Sequence, residues 1–512
     1  MKRIGIDFGT TNTTLAYFDE ASGGIVGYKF HDTSEYVSSA IAYHSRRDEY
    51  CIALDAQDVR YDSTYYFYEY YKIGLVENWR DVPNPEHGKT YFDIAKDYLH
   101  MLIETYKQDN LLGDAPLDVI VLSVPNTVLT DKNNQLKERL ENYLRTEARL
   151  AFLVSEPACS CAYYTRQKEP DFEGNLAVVD YGGGTLDVSI CHVAHENDNG
   201  NRIPSISIAQ QYTMDADTNS GAGIAFCRSM VERITGLTSD SDEFVSVVYE
   251  FDKILARSDK INRDLLEYYE NNEDMDSDEP STVRLNGRTC SVNCSLFNRT
   301  FNDVNKRTLD EALNRTVGHL IDTSGDQPFK IISVGGFSNL ICVNKTISER
   351  LEAGLGRLRQ DVRMGQLTKT ERYLAIAYGA ALYASREVMP SVKIPYAVSV
   401  MTYDGATEKA VTLISEGAET DAYSKVQWLS DPFYVMDAGK VEVRLRISNR
   451  SSSTPTEFTL NISEHCSSDS TIYMGAKFVG ERPFICVRNN SSKAVGEVDI
   501  SEHIVDFENR RL

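Results

Sequence analysis

The chain has 512 residues, more than a single domain usually contains, which predicts at least two folded units. Hydrophobic residues make up 42% and charged residues 25%, as in globular proteins, and no run of about 18 apolar residues indicates a membrane span. The net charge of −23 disfavours nucleic acid and anionic membranes as partners, because both are themselves negatively charged.

The beginning of the chain lacks an apolar segment of signal-peptide length, so we expect a cytoplasmic protein. The ten cysteines are scattered and many lie within apolar runs, which favours buried, reduced thiols. Neither Cys159 with Cys161 nor Cys290 with Cys294 has the spacing and partners of a tetrahedral zinc site. We therefore predict no metal site at these cysteines.

Up to about residue 388, short apolar runs alternate with stretches of helical periodicity, which is typical of an α/β architecture. An acidic stretch, 267–280, is predicted to be a solvent-exposed loop or insertion. The predicted central strands are 4–8, 119–124, 176–181, 188–191 and 331–336, and the predicted helices packed on them include 131–150 and 371–388.

After Pro390 the pattern changes to strict alternation of apolar and polar residues. Residues 440–448 and 457–463 both alternate in this way, which predicts half-buried antiparallel strands joined by a loop. We therefore predict two domains. Residues 1–388 form a mixed α/β domain, and residues 389–512 form an all-β, sandwich-like domain.

The most informative feature is an internal repeat. Residues 4–18 (IGIDFGTTNTTLAYF) and 177–191 (AVVDYGGGTLDVSIC) share one plan: an apolar strand, an aspartate, an aromatic residue, a turn of small residues and a second strand. A repeat on this scale indicates a duplicated domain with two related lobes. Each lobe would contribute one Asp-Gly turn.

The chemistry of these turns points to a phosphate site. Glycines let backbone N–H groups approach an anion closely, and threonine hydroxyls in and beside the turns add donors. Asp7 and Asp180 would repel bare phosphate, so their presence beside the turns implies a divalent cation, most naturally Mg²⁺. Two such turns facing each other predict a clamp for the phosphates of a nucleotide, as in phosphoryl transfer.

Segments in the same order along the chain resemble the motifs of the DnaK-type chaperones, the heat shock protein 70 family of the actin-like ATPase superfamily. The resemblance implies two ribonuclease H-like lobes that bind ATP or ADP with Mg²⁺ between them, ATP hydrolysis, and a C-terminal β domain that binds extended polypeptide. The resembling segments are 4–12, 119–135 with 152–164, 178–190, 332–340 and 375–384.

The resemblance also implies roles for individual positions. Asp7, Asp180 and Asp187 match the acids around the metal and its waters. The implied catalytic residues are Asp7, Lys72, Glu156, Asp180 and Thr185. The implied nucleotide-binding residues are Gly9, Thr10, Thr11, Asn12, Gly182, Gly183, Gly184, Thr185, Gly223, Glu250, Lys253, Gly335, Gly336 and Asn339.

The chain departs from the family pattern at several positions. Counting back from Gly74 puts Tyr70 where the family has its catalytic lysine, so either the register shifts and Lys72 reaches the γ-phosphate, or the lysine is missing and hydrolysis is slow. The pair Glu250 and Lys253, on one helical face, resembles the ribose and adenine contacts. Other positions carry a residue unlike that of the family: Cys227, Ile254, Asn339 and Tyr373.

Two functions fit these features. In the first, the protein is an ATP-dependent chaperone in protein folding and the stress response, with a J-domain co-chaperone and a nucleotide exchange factor as implied partners. In the second, it is a nucleotide-controlled switch or scaffold that binds one dedicated protein. We expect a β domain without the helical lid of the family, which would favour rapid release of bound peptide. A small-molecule kinase would not explain the β domain.

Overall fold

The computed structural model describes residues 2–19, 21–30, 34–113, 115–130, 135–198, 201–214, 223–241, 243–257, 259–271, 281–323, 328–355, 363–390, 394, 396–404, 407–416, 418, 423, 426–434, 441–448, 455–465, 471–479, 482–489, 495–501 and 503–504. The chain divides into two compact units, Met1–Met389 and Pro390–Leu512. The first unit is mixed α/β, which confirms the predicted class.

The first half of this unit supplies one large sheet, one small sheet and the helices around them. Its strands are β1 (Arg3–Phe8), β2 (Asn12–Asp19), β3 (Gly24–Gly27), β4 (Tyr36–Ser38), β5 (Ile41–His44), β6 (Tyr50–Ile52), β7 (Tyr65–Tyr68), β8 (Leu117–Val124) and β9 (Ala148–Ser155). Its helices are α1 (Ala53–Asp58), α2 (Tyr71–Asn78), α3 (Tyr91–Asp109), α4 (Asn126–Thr130), α5 (Leu136–Glu147) and α6 (Glu156–Gln167).

The second half supplies another large sheet and a small hairpin. Its strands are β10 (Gly174–Tyr181), β11 (Leu186–Asp198), β12 (Asn201–Met214), β13 (Ser281–Leu285), β14 (Arg288–Val292), β15 (Phe329–Val334), β16 (Arg363–Met364) and β17 (Met389–Pro390). Its helices are α7 (Gly223–Thr235), α8 (Phe244–Arg257), α9 (Asp259–Glu270), α10 (Cys294–Phe301), α11 (Arg307–Thr323), α12 (Ile341–Leu355) and α13 (Lys369–Ser385), with a π-helical turn at Asn302–Lys306 and a 3₁₀ turn at Gly336–Asn339.

The two large sheets have the same strand order and the same strand directions. Five strands of the first sheet run β3-β2-β1-β8-β9, and five of the second run β12-β11-β10-β15-β16. The sixth strand differs: β4 pairs with β2 in the first sheet, and β17 pairs with β12 in the second. In each, the first three strands are antiparallel neighbours and two later strands add in parallel. Asp7 near the end of β1 and Asp180 near the end of β10 therefore occupy matching positions.

Two helices pack closely enough to require glycine. A Cβ on Gly379 of α13 would lie 1.8 Å from the carbonyl oxygen of Cys159 in α6, and a Cβ on Gly5 of β1 would lie 2.2 Å from the backbone nitrogen of Ala381 in α13. Helix α13 thus packs against both the first sheet and α6. Glu156, the first residue of α6, is held beside β1 by this arrangement.

The helix boundaries differ from the sequence predictions in two places. The helix expected over 131–150 is α5, and residues 148–150 already belong to β9, because Ala148 and Leu150 pair in parallel with β8. Residues 131–134 lie outside the described part of the chain. The prediction that the acidic stretch is a loop is wrong for residues 267–270. These residues complete α9, because Leu265 and Tyr268 are buried on its apolar side. Residues 272–280 lie outside the described part.

The second unit is built from strands. These are β18 (Ala397–Asp404), β19 (Thr407–Ile414), β20 (Gln427–Trp428), β21 (Phe433–Tyr434), β22 (Glu442–Ser448), β23 (Thr456–Asn461), β24 (Thr471–Val479), β25 (Arg482–Asn489) and β26 (Gly496–Asp499), with a 3₁₀ turn at Ser463–His465. They form two sheets, β19-β18-β22-β23 and β20-β24-β25-β26, with β21 paired to β24.

Alternation along β22 gives this unit its core. Val443, Leu445 and Ile447 are buried while the residues between them are partly exposed, which confirms the predicted half-buried strand. The apolar residues of both sheets belong to one buried cluster. Across both units, none of the described helices is long and apolar enough to cross a membrane.

Candidate functional site

Two tight turns, each joining the first two strands of its sheet, form the centre of the site. Residues 9–11 join β1 to β2, and residues 182–185 join β10 to β11. A Cβ on Gly9 would lie 2.2 Å from the carbonyl oxygen of Asn12, so the first turn has no room for a side chain there. The N–H of Gly182 donates to the carbonyl oxygen of Thr185 at 3.1 Å, which closes the second turn.

The two turns lie against each other. A Cβ on Gly183 would lie 2.9 Å from Cγ2 of Thr11, and a Cβ on Gly184 would lie 3.0 Å from Oγ1 of Thr10. Both separations are too short for ordinary Cβ contacts. The threonines of the first turn therefore occupy the space that the missing side chains leave in the second.

A cleft opens beside the paired turns, and most of the residues predicted for the site line it. The catalytic residues predicted from the sequence that line it are Asp7, Lys72, Glu156, Asp180 and Thr185. The predicted nucleotide-binding residues that line it are Gly9, Thr10, Thr11, Asn12, Gly182, Gly183, Gly184, Thr185, Gly335, Gly336 and Asn339. The structure thus brings together residues from widely separated parts of the sequence.

A lysine stands among the carboxylates of this cleft. The Nζ atom of Lys72 lies 2.6 Å from Oε1 of Glu156, and the two side chains are only 9% and 10% exposed. The hydroxyl of Ser123 donates to Oδ1 of Asp7 at 3.3 Å. Because Asp7, Asp180 and Glu156 all line the cleft beside Lys72, negative charge exceeds positive charge there, which favours a bound cation.

The pKa values of these groups follow from that excess. Burial, and then the charge of Glu156, raises the pKa of Asp7 to about 7, although Lys72 lowers it. Burial, Glu156 and the neighbouring aspartates raise the pKa of Asp180 well above its usual range. Burial lowers the pKa of Lys72, but the charges of Glu156 and Asp7 outweigh this and leave it raised. A cation entering the cleft would therefore displace protons from the aspartates.

The carboxylates suit a hydrated cation. Among the described residues, the one group of three metal-binding side chains with ligand atoms within 4.8 Å of one another is His100, Glu104 and Glu147, which does not include the cleft acids. In that group the Nζ of Lys107 already lies 2.6 Å from Glu104. The described cleft acids do not meet this criterion, so a cation among them would need water ligands as well, as Mg²⁺ usually keeps.

The local backbone explains how Lys72 reaches the cleft. Helix α2 begins at Tyr71, and Tyr70 before it adopts φ 55°, a left-handed conformation uncommon for a residue with a side chain. Tyr71 is buried in the core of the first sheet, and Lys72, next in the helix, contacts Glu156. Of the two sequence interpretations, the structure favours the shifted register. Tyr70 is not among the described residues that line the cleft.

A second part of the cleft is flat and aromatic. Gly335 has φ 85°, and a Cβ there would lie 2.6 Å from the carbonyl oxygen of Tyr181. A Cβ on Gly336 would lie 2.7 Å from the ring of Tyr373. That ring stacks on Tyr36 with centroids 5.8 Å apart and an interplanar angle of 18°. This combination of bare backbone and aromatic faces suits the nucleoside part of a ligand.

Two of the predicted residues support the second turn without lining the cleft. Asp187 is paired with Asp180 across β10 and β11. The N–H of Gly223 donates to the carbonyl oxygen of Gly182 at 3.2 Å. Ala222, which precedes Gly223 in the chain, lies outside the described residues.

Two other predicted residues, both on α8, do not line the described part of the cleft either. Glu250 accepts the backbone N–H of Asn286 at 2.6 Å. The ammonium of Lys253 lies 4.2 Å from the ring centroid of Tyr249. The structure therefore does not bring this pair to the positions that the sequence predicts for ribose and adenine contacts.

The cleft is also lined by polar residues that were not predicted from the sequence. One is Asp252, which lies four residues after the buried Val248 and three before the buried Leu255. An acid on the apolar stripe of a helix is a signal that could have identified it. Another is Arg372, whose Nη1 donates to the carbonyl oxygen of Ser338 at 2.8 Å.

The cleft thus combines a pair of contacting turns, a buried acid cluster with one paired lysine, and an aromatic wall. No protein-family model matches the chain, and no curated protein matches it significantly.

Proposed function

We propose that this chain is an ATP-binding and ATP-hydrolysing chaperone of the heat shock protein 70 type, in which the nucleotide state controls polypeptide binding by the C-terminal β unit. The observation that carries the proposal is the contact between two glycine turns beside the buried acids and Lys72. The matching strand order of the two large sheets supports a two-lobed, actin-like ATPase. A cytoplasmic role in protein folding and the stress response follows.

In this proposal the turns hold the phosphates. Backbone N–H groups of 9–11 and 183–184 and the hydroxyls of Thr10, Thr11 and Thr185 donate to phosphate oxygens. Mg²⁺, held by Asp7 and Asp180 directly or through water, would supply neutralisation of the phosphate charge. Asp187, which does not line the described cleft, would act on the ion only through Asp180, its partner across the strands. The residues fit this ion because they place excess negative charge beside a turn that could not otherwise tolerate an anion.

Hydrolysis adds a water oxygen to the γ-phosphorus and breaks the bond to the bridging oxygen of ADP. Lys72 is held in place by its pairing with Glu156 and would orient the γ-phosphate and balance its charge. A cleft carboxylate that does not bind the ion directly would accept the proton of the water. The buried setting of Lys72 and Glu156 keeps bulk water away from these groups.

Titration calorimetry with Mg²⁺ and ATP, followed by phosphate-release assays, tests the proposal. We expect heat on titration and slow turnover that several unrelated apolar peptides accelerate. Absence of binding by correctly folded protein would overturn the nucleotide site. Turnover that no such peptide accelerates, but that one specific protein does, would instead indicate the dedicated switch.

A further inference from the structure

The β20-β24-β25-β26 sheet of the second unit has one face that points away from the core. Along β24, Met474 and Ala476 are buried in the core, so Tyr473 and Gly475, which alternate with them, point to the opposite side. Arg488 of β25 is paired with Tyr473 and therefore lies on the same side. This side is the outer face of the sheet.

The outer face carries aromatic rings. Trp428 of β20 is paired with Gly475, and a Cβ on Gly475 would lie 3.0 Å from Cε3 of Trp428, so the indole lies where a side chain would otherwise project. Tyr434 of β21 is paired with Thr471, which is on the outer side of β24, and is 78% exposed. Together with Tyr473, these residues place three aromatic side chains around the edge of the sheet that β20 and β21 form.

A cation is stacked on two of these rings. The guanidinium carbon of Arg488 lies 4.4 Å from the ring centroid of Trp428 and 5.1 Å from that of Tyr473. Stacking on aromatic faces holds a guanidinium in one plane and leaves the N–H donors at its edge available. Arg488 is therefore fixed in position without using its hydrogen bonds.

Two other cations of this unit are paired with acids, but Arg488 is not. The Nζ atom of Lys477, on the same face, lies 2.7 Å from Oε1 of Glu497, and Nη2 of Arg446 lies 2.6 Å from Oε1 of Glu457. Among the described residues, the side chain of Arg488 contacts the two rings and forms neither an ion pair nor a hydrogen bond. This is so although acids outnumber bases in the chain, 76 to 53. A ligand that accepts hydrogen bonds and carries negative charge would complete this site.

The surroundings of Arg488 favour a carboxylate on a protein partner. A guanidinium binds a carboxylate through two parallel hydrogen bonds, and Trp, Tyr and Arg are the residues enriched in the energetic centres of protein interfaces. The net charge of −23 disfavours a polyanion, whereas a single carboxylate requires one cation. We propose that the outer face binds an apolar segment of a partner protein that carries one Asp or Glu, whose carboxylate pairs with Arg488 while its apolar neighbours pack on Trp428 and Tyr434.

Peptide display on the full chain tests this proposal. Random short peptides selected on the wild-type protein are counter-selected on Arg488→Gln, which removes the charge and the planar fork of donors. We expect the remaining peptides to carry an Asp or Glu beside apolar residues. In calorimetry, replacing that acid by its amide should weaken binding to the wild-type protein by about tenfold or more, because hydrogen bonds between charged groups are lost.

Two further variants serve as controls. Arg488→Lys keeps the charge but not the stacked fork, and it should bind the selected peptides almost as weakly as Arg488→Gln. Arg446→Gln alters an arginine of the same unit that is already paired with Glu457, and it should leave the affinity unchanged. Thermal unfolding checks that all three variants are folded. The comparison of an acidic peptide with its amide analogue needs no variant.

Several results would overturn the proposal. One is a selection in which no peptide distinguishes the wild-type protein from Arg488→Gln, or in which the peptides that do so lack an acid. Another is an equal loss of affinity in Arg446→Gln, which would indicate a general effect of charge. A wild-type dimer that Arg488→Gln dissociates in sedimentation experiments would show that the face binds a second copy of this chain instead. Binding of Mg²⁺ and ATP should be the same in Arg488→Gln and the wild-type protein, so a failure here leaves the proposed nucleotide site intact.

Discussion

The two hairpins at the centre of the cleft have the same backbone plan and different chemistry at matching positions. On the first, Asp7 is paired across the strands with Thr14. On the second, Asp180 is paired with Asp187. The second hairpin therefore carries two carboxylates where the first carries one. A cation shared between the hairpins is expected to depend more on the second.

The two turns also differ in their side chains, and this difference lets them pack together. The first presents Thr10 and Thr11, and the second presents Gly183 and Gly184 at the points of contact. Two threonine turns would collide at this separation, and two glycine turns would leave a gap. The comparison shows that the duplicated backbone supplies the frame, while the differences between the copies allow them to fit.

The largest effect on turnover is expected when Asp180, a carboxylate of the second hairpin, is replaced by a neutral residue. Asp180→Asn should reduce ATP turnover by about 100-fold or more, because an amide of equal size cannot balance the metal charge. The fold should persist, since the change removes repulsion from Glu156 and the neighbouring aspartates. Phosphate-release assays and thermal unfolding measure both effects.

Thr14→Val is the matched variant on the first hairpin. The Thr14 hydroxyl is buried and forms no hydrogen bond with the described residues, so its removal should cost little stability and little turnover. Equal losses of turnover for Asp180→Asn and Thr14→Val would show that the two hairpins are chemically equivalent. Intact turnover in Asp180→Asn would exclude this carboxylate from the cation site.

The second prediction concerns Lys72, the positive charge that the hairpins share, since it lowers the pKa of both Asp7 and Asp180. Lys72→Met leaves Glu156 buried without its partner, and we expect the free energy of unfolding to fall by about 3 to 5 kcal/mol. Glu156→Gln in the same chain should restore most of this loss. Urea unfolding of the two single variants and the double variant gives the coupling.

If the stability losses of the two single variants simply add in the double variant, Lys72 and Glu156 do not stabilise each other as a buried pair. The same proteins test the catalytic role, because the double variant should recover stability without recovering turnover. Recovery of both would mean that Lys72 acts only to stabilise the fold.

The third prediction tests the fit between the turns. Gly183→Ala places a methyl group 2.9 Å from Cγ2 of Thr11, and overpacking of this kind costs about 1 to 3 kcal/mol. Nucleotide affinity should fall as well, since the turns must move apart. Thr11→Ser removes the opposing methyl group and keeps the hydroxyl, so it should rescue Gly183→Ala. Denaturant unfolding and calorimetry measure the two effects.

Gly182→Ala is the control for this variant, because the nearest atom to a Cβ there is 3.8 Å away. It should change stability and affinity far less than Gly183→Ala. Equal effects at the two glycines would show that backbone conformation, and not contact between the turns, requires glycine here.

The sequence predicted the hairpins well because their requirements are local. A strand, an aspartate and a glycine turn follow each other within a few residues. The similarity of the two segments makes each of them recognisable in the sequence. The same holds for the central strands β8 and β10, whose apolar runs are largely buried in the two mixed sheets.

Contacts that depend on the orientation of a helix could not be predicted in this way. The spacing of Glu250 and Lys253 puts both on one face of α8 but does not say which face meets the cleft, and the structure shows Asp252 there. Similarly, counting from Gly74 left both Tyr70 and Lys72 open, because the left-handed conformation of Tyr70 that precedes Lys72 has no signature in the sequence.

The smallest expected effect concerns the titration of the aspartates on the two hairpins. Burial and neighbouring charge raise the pKa of Asp7 to about 7 and also raise the pKa of Asp180, so both should stay protonated in the folded protein to higher pH than in the unfolded chain. The folded ligand-free protein then holds protons that the unfolded chain releases above about pH 4, so stability should decline as pH rises from 4 to 7 and beyond. Asp7→Asn should flatten the part of this decline up to pH 7.

Mg²⁺ with ATP should stabilise the protein more at pH 8 than at pH 6, because fewer protons need to be displaced. Thermal unfolding across pH, with and without these ligands, measures the change. A stability that rises between pH 5 and 7 in the ligand-free protein would mean that the aspartates are ionised and paired, and that the excess negative charge inferred for the cleft is absent.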